Sequence, residues 1–396
     1  MASPNIITIF AKTTRFTNHK TLIIMKTNRF IFAIATLVAI SLIFVSCSKD
    51  DDNDNGGGGE KSHSLIGGWM DDDSDNNAQF CYIFEEDGTA LSVEIQNPED
   101  ADPDVDVMLT DWSESKGRIT FTRGVCKESV DFFFSSDGKR INITDEDGDS
   151  QTLTRLTESE LQTVRAKLNL DPDLVGFWKN ETGTGFVELD PDGHGTQLIL
   201  SGLDYFTSLK WETKDGVVSF KTFKNATAKR SYTVADDKSY FMFGTLKYER
   251  ITEQEYKKQF NAFNKTVSIV KAWELQTPWT SDFASSIMNP VYRNYYVVFN
   301  ADGTFFVVAL KAKDSKGANI TEVKKYEGKW QFDRSLFTYT INKNDQYGAV
   351  PWRLQQGFLM CGLPFYASMI AYDKYWGNGD FAETDIDKVQ QYIEGY

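Results

Sequence analysis

The sequence predicts a mainly β protein built from three tandem antiparallel barrel or sandwich units, each ending in a short helix. One reason is composition. Aromatic residues make up 14% of the 396-residue chain, and Phe, Tyr, Thr and Val dominate over helix-favouring Leu and Ala, which suits half-buried pleated surfaces. A second is a recurring stretch. Leu65-Ile66-Gly67-Gly68-Trp69, followed by Phe84-Glu85-Glu86-Asp87-Gly88-Thr89, returns as Leu174-Val175-Gly176-Phe177-Trp178 with Leu189-Asp190-Pro191-Asp192-Gly193-His194-Gly195-Thr196. It returns again as Ile269-Val270-Lys271-Ala272-Trp273 with Phe299-Asn300-Ala301-Asp302-Gly303-Thr304. The third reason is order: after each copy come a second Trp, alternating strands and a capped helix. A period of roughly a hundred residues means tandem domains rather than a solenoid, and the length exceeds what one core serves.

Residues 1–46 read as a secretory signal peptide. Met25-Lys26-Thr27-Asn28-Arg29 is a basic start, residues 30–45 are an apolar core, and Ser46 precedes the cut. The apolar stretch is short for a membrane span, which takes about 20 residues. Met25 is the expected start, with residues 1–24 an upstream extension of the reading frame. Residues 47–61 are expected to be a tether. The run Ser48-Lys49-Asp50-Asp51-Asp52-Asn53-Asp54-Asn55, then Gly56 to Gly59, is too charged and too glycine-rich to fold.

Phe44-Val45-Ser46-Cys47 resembles a bacterial lipobox, with Phe44 where Leu is usual. The resemblance implies that the Cys47 thiol is lipidated and becomes the N-terminus. Each buried CH2 of such chains contributes about 0.8 kcal/mol, so the membrane is the implied partner. The acidic run behind Cys47 resembles the export signal of Bacteroidota surface lipoproteins, and Ser48 after the Cys fits the outer membrane. The implied location is the outer-membrane cell surface. The formal charge of the chain is −15, and from Cys47 onward 37 basic residues face 57 acidic ones, a balance of −20. Such a surface repels nucleic acid and is read mainly as solubility.

The first unit, 62–170, passes from the Asp87-Gly88 hairpin through an acidic loop, 97–104, to Trp112. Strands are expected over Arg118–Thr122 and Val130–Phe134, with Asp137-Gly138 suiting a type I′ turn. Thr157-Glu158-Ser159-Glu160 is a capping box opening a helix through Leu168. The second unit, 171–265, repeats this with Trp211, strands over Val217–Phe220, Ser231–Val234 and Tyr240–Leu246, and a helix from Thr252-Glu253-Gln254-Glu255 to about Phe263. The third, 266–396, carries Trp330, a strand over Leu336–Ile341 and a helix opened by Thr384-Asp385-Ile386-Asp387 and running through Ile393. The Gly-x-Trp opening with a strand ending in Asp-Gly-Thr resembles the lipocalin-like modules of Bacteroidota surface lipoproteins. That resemblance implies barrels with the first Trp sealing one end. In the third copy Lys271-Ala272 replaces the glycine-containing dipeptide. Immunoglobulin-like sandwiches are the alternative fold.

Catalysis finds little support. His19 lies in the signal segment and His63 beside the tether, and His194 reads as an exposed hairpin residue, so no nucleophilic triad assembles. Cys81 and Cys126 either pair or stand as buried thiols, and the spacing suits no zinc site. The cluster Asp71-Asp72-Asp73-Ser74-Asp75 alternates oxygens as calcium loops do. It has Asn76 where an EF-hand has Gly and Tyr82 where it has Glu, so it and the clusters at 102–106 and 145–149 read as solvated turns. With 57 acidic residues, a glycosidase pair can be drawn anywhere and means nothing. The expectation is no enzyme, no metal and no cofactor. The unusual feature is aromatic density in the third unit, where Trp279, Trp352, Tyr375 and Trp376 stand beside Pro or Gly and form the expected ligand site. The expected function is non-catalytic binding of a small apolar molecule or a glycan. The alternative is a structural, adhesive or protein-interaction spacer.

Overall fold

A computed structural model describes residues 63–74, 77–222, 227–278, 292–312, 320–341, 346–361 and 379–395. The chain is mainly β, with two closed eight-stranded antiparallel barrels. The first comprises β1 (Gly67–Asp71), β2 (Ala78–Phe84), β3 (Thr89–Gln96), β4 (Asp104–Ser115), β5 (Arg118–Arg123), β6 (Cys126–Phe134), β7 (Arg140–Thr144) and β8 (Ser150–Arg155). Each strand pairs with the next, and β8 returns to β1 with Arg155 opposite Trp69. Helix α1 (Glu158–Lys167) follows.

The second barrel comprises β9 (Gly176–Asn180), β10 (Gly185–Leu189), β11 (His194–Ile199), β12 (Tyr205–Lys214), β13 (Val217–Thr222), β14 (Thr227–Val234), β15 (Tyr240–Phe243) and β16 (Leu246–Ile251). It closes β16 on β9 with Arg250 opposite Trp178, and α2 (Glu253–Thr266) follows. The strand expected over Tyr240–Leu246 is two strands, because Gly244 turns the chain at φ 60°.

The remaining strands are β17 (Ala272–Pro278), β18 (Tyr292–Phe299), β19 (Thr304–Ala312), β20 (Ile320–Asp333), β21 (Leu336–Ile341), β22 (Gln346–Val350), β23 (Trp352–Gln355), β24 (Phe358–Cys361) and β25 (Gly379–Thr384), before α3 (Ile386–Glu394). Strands β17 to β22 pair in order, β23 to β25 pair in order, and β25 returns to β17. Strand β23 also pairs with β12 of the second barrel, Phe206 opposite Leu354.

The recurring residues are structural in all three copies. Trp69, Trp178 and Trp273 are buried, and each indole N–H donates to the backbone carbonyl four residues earlier, that of Leu65, Leu174 and Ile269, at 2.7, 2.8 and 2.9 Å. Arg155 and Arg250 lie over the first two rings, 4.2 and 4.1 Å from the ring centres, a cation–π arrangement. Opposite Trp273 stands Glu383 instead, paired with Lys271 at 2.7 Å. That exchange accounts for the lost glycine. Gly176 adopts φ 131°, and a Cβ there would meet Arg250 Nη1 at 2.7 Å, a restriction absent where no Arg follows.

The backbone N–H groups of Trp112, Trp211 and Trp330 donate to Gly88, Gly193 and Gly303 at 2.7, 2.7 and 2.8 Å, tying each second Trp to its hairpin. In the first and third hairpins Asp87 and Asp302 accept from the following Thr through both backbone and hydroxyl. The Asp137-Gly138 turn differs from the type I′ expectation. That type needs positive φ at both central residues, and only Gly138 has it, closing a turn from Ser135.

Strand alternation places two sets of apolar residues on the first barrel. Trp69, Phe84, Ile119, Val130, Ile141 and Leu153 form the inner cluster, and Ile83, Leu91, Val93 and Leu109 form an outer one under Leu161 and Val164 of α1. Full burial of each such side chain contributes about 1.5–3 kcal/mol. Thr157 caps α1 with both bonds of the expected box, whereas Glu255 in α2 turns to Lys179 at 3.3 Å. Cys81 lies in the outer cluster and Cys126 faces the lumen, its Sγ donating to the Tyr339 carbonyl at 3.7 Å, and the two do not form a disulfide.

Candidate functional site

Of the expected ligand residues, Trp352 is described; Trp279, Tyr375, Trp376 and the lipidation residue Cys47 lie outside the described residues. Trp352 is fully buried. Its ring stacks on Phe332 with centres 4.0 Å apart and lies 4.3 Å from Phe206 of β12, so it joins the second barrel to the strands that follow. It offers no face to a ligand, because Pro351 is a bend between two strands rather than part of an open loop.

The first barrel has space in its interior. A space of about 50 Å3 lies in its lumen, lined by apolar side chains that include Phe84, Met108, Ile119, Phe121 and Val130. Ala349 of β22 contributes from outside the barrel. Strand alternation explains the exceptions among the lining. On β6, Cys126, Glu128, Val130 and Phe132 are buried while Lys127, Asp131 and Phe133 are exposed, so Glu128 is in the inward phase. On β5, Arg123 shares its phase with Ile119 and stands opposite Cys126. A carboxyl and a guanidinium therefore enter a mostly apolar lumen near one end, in a lining that also holds Tyr82, Ser92, Thr110 and Thr122.

Glu128 is 7% exposed and makes no hydrogen bond or ion pair with any described residue. Burial pushes its carboxyl up to about 9, and the charges of Asp145 and Glu146 add to the shift. The hydroxyl of Tyr82, also in the lining, is raised by burial and by Glu128 and Asp71.

Arg123 belongs to a second feature, a buried ionic junction. Its Nη2 lies 3.5 Å from Asp192 Oδ2 of the second barrel and its Nε 3.8 Å from Asp333 Oδ2 at the end of β20. Leu109 N–H of the first barrel donates to Asp192 at 3.1 Å, and Val125 N–H donates to Thr338 at 3.2 Å. Arg334 pairs with Asp111, and Ser208 Oγ donates to the Ser335 carbonyl at 2.5 Å. Burial alone would raise the Asp192 carboxyl, but His194 and then Arg123 hold it well below the usual range. Burial pushes Glu188 up to about 7, and burial followed by the charges of Glu188 and Asp192 raises Asp190. His194 is thus not an exposed turn residue. Its ring is 16% exposed, with Nδ1 3.1 Å from Asp192 Oδ2, because the first barrel docks on this hairpin. The junction is a weld between elements: Asp192 and Asp333 face cations, whereas Asp190 lies beside the carboxylates of Glu188 and Asp192 with its Oδ2 buried and without a hydrogen bond among the described residues.

No family model matches the chain, and no curated protein matches it. Solved structures align with much of it at low similarity. A protein of unknown function from the DUF3598 family of Nostoc punctiforme shares 12% identity over 68% of this chain and 96% of its own, with a TM-score of 0.13. A ligand-bound DNA polymerase sliding clamp from Pseudomonas aeruginosa shares 9% identity over 75% and 93%, with a TM-score of 0.12. Scores this low carry nothing about function.

Proposed function

We propose that this chain is a non-catalytic, lipid-anchored protein of the bacterial outer-membrane surface that binds a small molecule with an apolar body in the lumen of its first barrel. The observation that carries the reading is the mostly apolar lumen with a few polar groups, among them the ionisable Glu128 and Arg123 near one end, the usual composition of a small-molecule pocket. The space is about a third of the roughly 150 Å3 that accommodates benzene, so the ligand is small or displaces Met108 and Phe121 on entry. Anchoring rests on the lipobox-like Phe44-Val45-Ser46-Cys47.

Strands β17–β25 are read as a third eight-stranded unit. Support comes from β22 and β23 taken as one strand bent at Pro351, one half pairing with β21 and the other with β24, and from the repeated Trp273 bond. A structural or protein-interaction spacer is the second reading, favoured by the Arg123 junction that locks the first barrel to its neighbours.

Filling the lumen tests the function. Val130→Phe, at a cost of about 1–3 kcal/mol from overpacking, is expected to abolish binding of small apolar probes while the circular dichroism stays β. Unchanged binding would overturn the lumen as the site. Membrane partitioning that survives Cys47→Ala would overturn the anchor.

A further inference from the structure

Building on the lumen as a binding site, we propose that its ligand is a small primary amine, held in its ammonium form against the carboxylate of Glu128. The first support is placement. Glu128 projects from β6 in phase with Val130 and Phe132, is more than nine-tenths buried, lines the open space and has no partner among the described residues. Buried polar groups in native proteins are nearly always bonded, and a buried carboxylate is costly without a counter-charge. A carboxyl turned toward open space and left unbonded therefore marks the position of a group that binds it.

The second support is the sign of the surroundings. The charges acting on Glu128 from the β7–β8 turn are those of Asp145 and Glu146. Asp71 of β1 acts with Glu128 on the Tyr82 hydroxyl between them. Of the two cations in the lining, Arg123 is offset by two carboxylates, Asp192 at 3.5 Å and Asp333 at 3.8 Å, though it hydrogen-bonds neither, and Lys127 lies in the exposed phase of β6. A carboxylic acid or phosphate ligand would meet net repulsion here, and an ammonium net attraction.

The third support is size. About 50 Å3 takes about two heavy atoms, given that water occupies roughly 30 Å3, and a third on a small shift of the lining, whose apolar side chains Phe84, Ile119 and Val130 suit a short alkyl chain.

Proton balance makes the proposal measurable. Without ligand, the buried carboxyl is protonated at neutral pH, because its titration is pushed up to about 9. An entering ammonium replaces that proton: the O–H bond of Glu128 breaks, the proton leaves to solvent, and the ammonium pairs with the carboxylate. One proton is released per cation bound, and below that titration affinity rises about tenfold per pH unit.

The test is titration calorimetry of the full chain in detergent with ethylammonium chloride, in buffers of differing ionisation enthalpy, with ethanol as the neutral isostere. A ligand of this size is expected to bind at about millimolar strength. The expected result is about one proton released per ethylammonium at pH 7 and an affinity about a hundredfold higher at pH 8 than at pH 6. Glu128→Gln is expected to remove both effects while ethanol binding persists. Ethylammonium binding that is no tighter than ethanol, or that releases no proton, overturns the amine assignment and leaves the lumen reading standing. Binding of neither overturns both. Should Glu128→Gln fail to fold, the proton count on the unaltered chain still decides.

Discussion

Replacing Glu128 by Gln should stabilise the protein, and by an amount that depends on pH. The unfolded carboxyl titrates near 4.5, whereas the folded one is pushed up to about 9 by burial. Between those values the native state holds a proton that the unfolded state has lost, so the stability of the unaltered chain falls as pH rises through the window. At 1.36 kcal/mol per unit the penalty is roughly 3 kcal/mol at pH 7 and roughly 6 kcal/mol at pH 9, and it vanishes below the unfolded value. These are upper bounds, because water entering the lumen lowers the desolvation cost. Glutamine has nearly the same shape and no charge, so the penalty disappears while the packing stays. Urea unfolding of the two proteins, followed by Trp fluorescence at pH 4, 7 and 9, gives the comparison. The expected gain for Glu128→Gln is about 0, 3 and 6 kcal/mol. A difference that does not change with pH would refute the inward, unpartnered placement of this carboxyl.

Other substitutions probe the weld and the buried aromatic cluster. Arg123→Ala leaves Asp192 and Asp333 without their shared cation and is expected to cost about 3–5 kcal/mol, seen in scanning calorimetry as an earlier transition. Arg123→Lys is expected to recover only part of that loss, because an ammonium lacks the guanidinium fork. Trp352→Ala is expected to cost about 3–5 kcal/mol, measured by urea unfolding, and to leave binding in the first barrel unchanged. Loss of binding in that variant would return the ligand site to the strands after α2.

Features built from local chemistry were legible in the sequence. Asp-Gly-Thr turns depend on one carboxylate accepting from its near neighbours, and Thr157 caps its helix with its own side chain and Glu160, so a few adjacent residues define each. The first Trp of each copy binds a carbonyl four residues back, which fixes the spacing of the lead that opens on Leu or Ile. Glu128 was readable in principle, since Cys126-Lys127-Glu128-Ser129-Val130 puts it in phase with apolar residues. A charged residue on a strand is ordinarily assigned to the solvent face, and that habit hides it.

The junction was not readable. His194 and Asp192 form a turn in sequence, and what buries them is the first barrel, which contributes Leu109 and Arg123 from roughly seventy to eighty residues away. Trp352 misled for a related reason. Pro351 reads as a loop, yet the flanking segments are both strands, and Phe332 and Phe206 that enclose the ring come from distant elements.

The central claim is that the first barrel's lumen holds the ligand, and methyl-labelled NMR of the full chain tests it most directly. Ile119, Val130, Ile141 and Ile143 report on the lumen, and Ile341, Leu354 and Leu359 report on the aromatic cluster around Trp352. On titration with ethylammonium and ethanol, shifts are predicted in the first set and not in the second. Shifts confined to the second set, or none in either, would contradict the account.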